Sequence, residues 1–222
     1  MPFILSIVLA FSLFQASFAQ SEHPITGRKI APVMGVAGAG WLDRSERETE
    51  EAPEKALDAL NILPGMMVAD IGAGTGYFSL RLARRVGVNG KVYAIDVQPE
   101  MLDKLRANAQ REKLGNIETV LGSEADPNLP AGKIDLVLLV DVYHEFSQPQ
   151  QMLQHIRASL KPDGRLVLLE YRKEDPAIPI RPEHKMSVAE VKAELEAEGY
   201  KLDKVVETLP RQHIIVFKKL SM

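Results

Sequence analysis

Three closely spaced glycines are the strongest chemical signal in this 222-residue chain. Gly72, Gly74 and Gly76 follow the apolar run at residues 67–71 and precede a helical pattern of apolar residues at 78–86. A strand, a tight glycine loop and a helix in this order predict the first unit of a Rossmann-like sheet. Glycine lets a ligand approach the main chain, and free N–H groups at a helix start favour an anionic group. The loop therefore predicts a site for a nucleoside-containing cofactor.

The spacing and charge of this loop argue against a dinucleotide. The G-x-G-x-x-G fingerprint would have its third glycine at the position of Tyr77. Asp70 precedes the first glycine by two residues, and a carboxylate there would repel a diphosphate. S-adenosylmethionine lacks phosphate and carries an ammonium and a sulfonium group. We therefore expect Asp70 to bind that ammonium, directly or through water.

A second carboxylate, Asp96, ends the next apolar run, at residues 92–95. It lies about one β-α-β step after the glycine loop. A carboxylate at this position can accept hydrogen bonds from both ribose hydroxyls of a nucleoside. We expect Asp96 to bind the ribose.

Three motifs together resemble those of the class I S-adenosylmethionine-dependent methyltransferases. They are D-I-G-A-G-T-G at 70–76, A-I-D at 94–96 and L-K-P-D-G-R-L-V-L at 160–168, within a resemblance that extends over roughly 53–219. The resemblance implies an α/β fold with a seven-stranded, mainly parallel sheet, in the order 3-2-1-4-5-7-6, with helices on both faces. It also implies methyl transfer from S-adenosyl-L-methionine to a small-molecule acceptor, which the motifs do not identify.

The resemblance also implies further cofactor contacts. The glycine loop is expected beside the amino-acid part of the cofactor, and Val97 against its adenine. Family members usually place an acid after the third strand, against the adenine amino group; here that position is Ser123, so Glu124 or Asp126 can make the contact instead. The expected cofactor-binding residues are Asp70, Gly72, Ala73, Gly74, Gly76, Asp96, Val97, Met101, Ser123, Glu124, Asp126 and Asp141.

The segment after the fourth predicted strand, residues 134–140, supplies the catalytic candidates. Ligands in open α/β sheets bind beyond the carboxyl ends of the strands, so residues 141–146 should flank the transferred methyl group. We expect His144 to act as a base if the acceptor needs one, and Tyr143 to orient the acceptor. The alternatives are a structural histidine and a packing tyrosine. Displacement at a sulfonium needs no acid, so neither residue is obligatory.

The histidines do not predict a metal site by their spacing. His184 and His213 could join His144, but no H-x-x-x-H or carboxylate spacing supports such a cluster. The chain also has no cysteine, which excludes disulfides, thiolate metal sites and cysteine nucleophiles. We therefore predict no metal ligand.

The amino-terminal 52 residues are expected to lie outside the catalytic domain. Residues 1–19 read as a signal peptide cleaved before Gln20, which predicts export to the periplasm or the extracellular space. An uncleaved membrane anchor and a segment without targeting function are the alternatives. Residues 20–52 are interpreted as an arm and a lid helix, with a loose tail as the alternative for the arm. The methyltransferase domain is expected at 53–222.

The overall composition excludes some partners. With 45% hydrophobic residues and a net charge of -3, the chain suits one packed domain and shows no basic excess for nucleic acid. Membrane association is expected only if residues 1–19 remain attached, and the oligomeric state is open. Two other functions are considered, a nicotinamide or flavin oxidoreductase and a non-catalytic module that binds S-adenosylmethionine.

Overall fold

A computed structural model describes residues 21–220 of the chain. The predicted signal peptide, residues 1–19, lies outside this range, so export stays a prediction. No helix within residues 21–220 has both the length and the hydropathy that a membrane span requires.

Helices and strands alternate through most of the described chain. The strands are β1 (Met67–Ile71), β2 (Lys91–Asp96), β3 (Ile117–Leu121), β4 (Ile134–Val140), β5 (Leu160–Arg172), β6 (Lys185–Met186), β7 (Tyr200–Val206) and β8 (Gln212–Lys219). The helices are α1 (Ala39–Leu42), α2 (Arg47–Glu50), α3 (Pro53–Ala59), α4 (Tyr77–Val86), α5 (Pro99–Arg111), α6 (Pro149–Ser159) and α7 (Val188–Ala197). Short 3-10 turns cover Val36–Gly38, Tyr143–Glu145 and Pro182–His184.

The strands form one sheet in the order β3-β2-β1-β4-β5-β8-β7. Strands β1 to β5 run parallel, whereas β8 is antiparallel to both β5 and β7. This confirms the predicted fold class and the predicted order of the seven long strands. The sheet also has an eighth strand, β6, which pairs with β5. Two residues are too short for a hydrophobic pattern, so the sequence did not predict it.

Both faces of the sheet are covered, as a parallel sheet requires. Alternate residues of β4 point to opposite faces. Leu136 and Leu138 belong to an apolar cluster with residues of α3 and α4, whereas Val137 and Leu139 pack with residues of α6 and α7. The carboxyl ends of the strands are thereby held rigidly at one edge of a three-layer structure.

Two sequence positions have the spacing of a helix capping box, a serine followed three residues later by a glutamate, but only one of them forms it. At α7, Ser187 and Glu190 form the capping box. At α2, the same spacing of Ser45 and Glu48 forms no cap, because the side chain of Glu48 accepts a hydrogen bond from the Tyr77 hydroxyl at 2.6 Å instead. A tertiary contact therefore replaced the local one.

Candidate functional site

A cavity of about 1090 Å³ lies beyond the carboxyl ends of β1, β2 and β4. Its walls include the last residues of these strands and the segments that follow them. Residues of the amino-terminal arm and of the loop after β5 complete the lining. This is where ligands bind in open α/β sheets, so the cavity is the candidate active site.

The glycine loop contributes two of its members to this cavity. Gly72 and Gly74 line it, with φ of +74° and +53°. Gly76 does not line it; a Cβ there would lie 2.8 Å from the Leu105 side chain, so this glycine allows α4 to pack closely on α5. Ala73 lines a smaller adjoining cavity. Ala73 and Gly76 thus lie outside the lining of the main cavity, and their contact with the cofactor stays a prediction.

The N–H groups of the glycine loop already have partners within the protein. Those of Gly72 and Ala73 donate to the Ile95 carbonyl oxygen at 2.9 and 2.8 Å. That of Gly74 donates to the Asp96 carboxylate at 2.9 Å. A diphosphate would need these donors to be free. A ligand without phosphate therefore fits this part of the loop better, and the expectation that N–H groups at the start of α4 favour an anionic group stays a prediction.

Asp96 lines the cavity at the end of β2. One carboxylate oxygen accepts the Gly74 N–H, and the other accepts the Gln98 N–H at 2.9 Å. Burial raises the pKa of Asp96 above its ordinary value, and the hydrogen bonds from Gln98 and Gly74 oppose that rise. Each oxygen has a second lone pair that can accept a ligand hydroxyl. The geometry fits the expected ribose contact.

Asp70 lies beneath the cavity and not in its lining. It is 2% exposed, and its carboxylate accepts a hydrogen bond from the Ser79 hydroxyl at 2.5 Å, in the first turn of α4. It borders a small adjoining cavity of about 30 Å³. Burial raises its pKa to about 6. Asp70 therefore supports the start of α4, and binding of a cofactor ammonium by this residue stays a prediction.

The buried Asp70 predicts a pH effect on folding. Since its pKa rises from 3.8 to about 6 on folding, the native state binds more protons in that window, and stability falls as pH rises through it. We expect Asp70→Asn to remove a fall of about 2 to 3 kcal/mol between about pH 4 and pH 7. Urea unfolding across this range measures the slope, and Asp126→Asn, whose side chain is 41% exposed, should keep the wild-type slope. Equal slopes in Asp70→Asn and wild type would contradict the prediction.

The expected adenine contacts divide into two groups. Val97, Met101, Ser123 and Glu124 all line the cavity, and Val97 is 40% exposed there. Asp126 does not line it. The Asp126 N–H donates to the Ser123 hydroxyl at 3.0 Å, which forms a tight turn after β3. Asp126 therefore helps to form this turn, and its contact with the cofactor stays a prediction.

Asp141 follows β4 and lines the cavity. Its φ of +50° is unusual for a residue with a side chain. One carboxylate oxygen accepts a hydrogen bond from Gln212 at 2.7 Å, whereas the other, also buried, has no partner within residues 21–220. Burial raises the pKa of Asp141 well above its ordinary value, and the nearby Glu51 and Glu170 raise it further. A cationic ligand group would satisfy this oxygen.

His144 lies in the 3-10 turn after β4 and also lines the cavity. Its Nδ1 is 2.7 Å from Glu170, and its Nε2 is 3.1 Å from Nδ1 of His184. Burial alone would lower the pKa of His144, but the Glu170 carboxylate raises it above the ordinary value. The sequence offered His184 as a possible neighbour of His144, but no spacing supported the contact, because the two residues lie 40 positions apart.

Tyr143 lies on the opposite side of the same turn and is fully buried. Its ring packs against Phe146, and the Arg28 guanidinium lies 5.3 Å from the ring centroid. Its hydroxyl is 3.4 Å from Nε2 of His23. Tyr143 is absent from the lining of the cavity, which favours the alternative of a packing residue, and its role in orienting the acceptor stays a prediction.

The amino-terminal arm forms part of the cavity wall. Val33, Met34 and Trp41 line the cavity. The Met34 N–H donates to the Glu145 carboxylate at 3.3 Å, and the Met34 carbonyl accepts from the Gln98 side chain at 2.9 Å. The arm thus joins the ends of β4 and β2. The arm is therefore packed against the sheet at this point, and its function as a lid stays a prediction.

One buried carboxylate on α7 anchors this arm. Glu194 accepts hydrogen bonds from Arg28 at 2.9 and 3.2 Å and from the Thr26 hydroxyl, and it lies 3.3 Å from Nε2 of His23. Arg28 also donates to the His144 carbonyl oxygen at 3.2 Å. The arm is therefore fixed both to α7 and to the turn that carries His144.

The sequence matches a known family over most of this structure. The family described as "Methyltransferase domain" matches residues 62–214. The chain belongs to this methyltransferase family. Its fold is that of the class I Rossmann-like members: a S-adenosylmethionine-dependent methyltransferase from Aquifex aeolicus is 30% identical, with a TM-score of 0.79 over 83% of this chain and 98% of that one.

Curated relatives of this methyltransferase-family chain match part of their own length. Nocamycin O-methyltransferase from Saccharothrix syringae is 33% identical over 51% of this chain and 41% of its own. A ubiquinone/menaquinone biosynthesis C-methyltransferase from Idiomarina loihiensis is 30% identical over 53% and 47%. The chain thus spans less than half the length of these relatives. They differ in the atom they methylate, so family membership leaves the acceptor open.

Proposed function

We propose that this protein binds S-adenosyl-L-methionine in the cavity and transfers its methyl group to a small-molecule acceptor. The observation that carries the proposal is the glycine loop, whose N–H groups at Gly72, Ala73 and Gly74 bond within the protein. A diphosphate cofactor would compete for them, whereas a nucleoside with a cationic amino-acid part would not. Membership of the methyltransferase family and the relatives' names support the same choice.

The carboxylates at the ends of β2 and β4 suit the ribose and the ammonium group of this cofactor. Asp96 has lone pairs for the ribose hydroxyls. Asp141 has a buried oxygen without a partner in the described range, and an ammonium group would satisfy both its charge and its hydrogen bonding. Asp141 is therefore a better candidate than Asp70, whose carboxylate is bonded to Ser79 and lies outside the main cavity.

Apolar side chains in the lining of the cavity suit an acceptor with an apolar part. Trp41, Phe146, Met152 and Ile180 line the cavity, and these side chains can exclude water around a reacting group. When bound, S-adenosylmethionine supplies an electrophilic methyl group. The protein's contribution is then to align the acceptor and keep the site dry, since the leaving sulfur needs no proton. His144 also lines the cavity and is held in place by Glu170. It is therefore near the place where an acceptor would lose its proton.

The chain's single tryptophan provides a direct binding test. Trp41 lines the cavity and is stacked against Arg44, so its fluorescence should change as a ligand fills the space. Titration of the full chain with S-adenosylmethionine should give a saturable change, and titration with NAD(P) should give none. Saturation by NAD(P) alone would overturn the proposal in favour of an oxidoreductase.

Turnover separates an enzyme from a binding module. We expect the full chain to form S-adenosylhomocysteine when it is incubated with S-adenosylmethionine and a protein-free small-molecule extract. Trp41→Phe should abolish the fluorescence signal without affecting the detection of this product. If the cofactor binds but no product forms with any extract fraction, the non-catalytic alternative is the correct one.

A further inference from the structure

Two histidines and a glutamate meet in the wall of the cavity. His144 and Glu145 lie in the 3-10 turn after β4, and His184 lies in the 3-10 turn before β6. One ligand atom from each of these residues lies within 4.8 Å of the others. All three residues line the cavity. We propose that they bind a divalent transition-metal ion that holds an oxygen atom of the methyl acceptor.

The distance between the two imidazoles fits a shared ion. Nε2 of His144 and Nδ1 of His184 are 3.1 Å apart, with the rings nearly perpendicular at 85°. Two nitrogens that are each about 2.1 Å from one ion lie roughly 2.9 to 3.4 Å apart at octahedral to tetrahedral angles. In the metal-free protein, a distance of 3.1 Å between these nitrogens is that of an N–H···N hydrogen bond. A metal ion can therefore replace the proton shared by the two nitrogens with little movement of either ring.

A second layer of contacts orients the ligands. Glu170 is fully buried and accepts the Nδ1 proton of His144 at 2.7 Å, which leaves the Nε2 lone pair directed at His184. The other oxygen of Glu170 accepts the Tyr143 N–H at 3.0 Å. The carboxylate of Glu145 is held by the Met34 N–H at 3.3 Å through one oxygen, so its second oxygen can bind an ion. A carboxylate that positions a metal-binding histidine is a common arrangement in protein metal sites.

The ligand types select the class of metal. Two imidazoles and one carboxylate suit Zn²⁺, Fe²⁺, Co²⁺ or Mn²⁺, whereas Mg²⁺ and Ca²⁺ prefer oxygen ligands. Three protein ligands leave at least one coordination position open, as in catalytic sites. Because the group lines the cavity, that position faces the space for the acceptor. The sequence did not predict this site, because His184 and His144 lie 40 positions apart.

The site implies an acceptor with an oxygen donor, such as a phenol or an enol. This part of the inference rests on the proposed methyl transfer. A metal-bound hydroxyl loses its proton to water more readily than a free one. The acceptor oxygen then forms its bond to the methyl carbon as the carbon–sulfur bond breaks, and the bonding electron pair leaves with the sulfur of S-adenosylhomocysteine.

Metal titration of the full chain, purified without a histidine tag and freed of metal by a chelator, tests the proposal. Calorimetry with Zn²⁺ and visible absorption with Co²⁺ should both show one ion per chain. We expect His184→Ala to weaken binding at least tenfold and Glu170→Gln to weaken it about 10- to 100-fold. His155→Ala, at an exposed histidine outside the cavity, should bind like wild type.

Several outcomes would overturn the proposal. One is that the wild type binds no stoichiometric metal ion. Another is that His184→Ala binds metal with wild-type affinity; His184 is half-buried and suited to substitution. Loss of binding in His155→Ala would also overturn it. A titration of the metal-free protein with S-adenosylmethionine, followed by Trp41 fluorescence, tests the proposed function independently of the metal site. Cofactor binding without metal binding rejects the metal site alone, whereas metal binding without cofactor binding rejects the proposed function.

Discussion

Asp96→Ala should weaken S-adenosylmethionine binding about 100-fold. The substitution removes the acceptor for the ribose hydroxyls, and it also frees the N–H groups of Gly74 and Gln98 that shape this end of the cavity. Two hydrogen bonds to a charged group contribute about 1.5 kcal/mol or more each, and about 1.4 kcal/mol corresponds to a factor of ten. Trp41 fluorescence measures the dissociation constant.

Asp126→Asn is the matched control for this prediction. Asp126 also follows a β-strand of the sheet and was a candidate from sequence, but it lies outside the cavity. Its affinity for the cofactor should stay within about twofold of wild type, since surface substitutions have small effects. Urea unfolding must show that Asp96→Ala is folded under the titration conditions. Wild-type affinity in a folded Asp96→Ala protein would refute the ribose assignment.

Glu194→Ala is expected to produce the largest loss of stability, about 3 to 5 kcal/mol. Glu194 is fully buried and is the shared partner of His23, Thr26 and Arg28. Its removal leaves the buried Arg28 guanidinium without a counter-charge, which costs much more than the loss of an exposed pair. The free energy of unfolding in urea measures the effect.

Glu196→Ala provides the control on the same helix. Glu196 is exposed, so its replacement should change the free energy of unfolding by less than about 0.5 kcal/mol. Glu194→Gln keeps an acceptor for Arg28 and should fall between the two variants. If Glu194→Ala were as stable as Glu196→Ala, the arm would not depend on this ion pair.

Local and periodic features account for the parts of the fold that were predictable. A glycine loop between an apolar strand and an amphipathic helix depends on neighbours within a few residues, as does the capping box of Ser187 and Glu190. The order of the long strands followed from the family resemblance. A two-residue strand such as β6 carries no such signal, because its pairing with β5 depends on the surrounding loop.

Side-chain direction at the site was less predictable than position along the chain. Tyr143 and His144 are adjacent in one 3-10 turn, yet only His144 faces the cavity. The same limit applies to acidic residues at the strand ends. Asp70 bonds to Ser79 and lies outside the main cavity, whereas Asp141 has the buried oxygen without a partner in the described range. The pattern of residue types indicates which edge of the sheet holds the site, but not which carboxylate faces the ligand.

The sequence by itself determined the Rossmann-like sheet, the edge that carries the site, and Asp96 at the end of β2. These depend on hydrophobic periodicity and on interactions over a few residues. Only the tertiary structure decided that Glu194 anchors the arm at Arg28, 166 positions away, and that His184 lies beside His144. Such contacts depend on how distant segments pack against each other, and no local pattern encodes them.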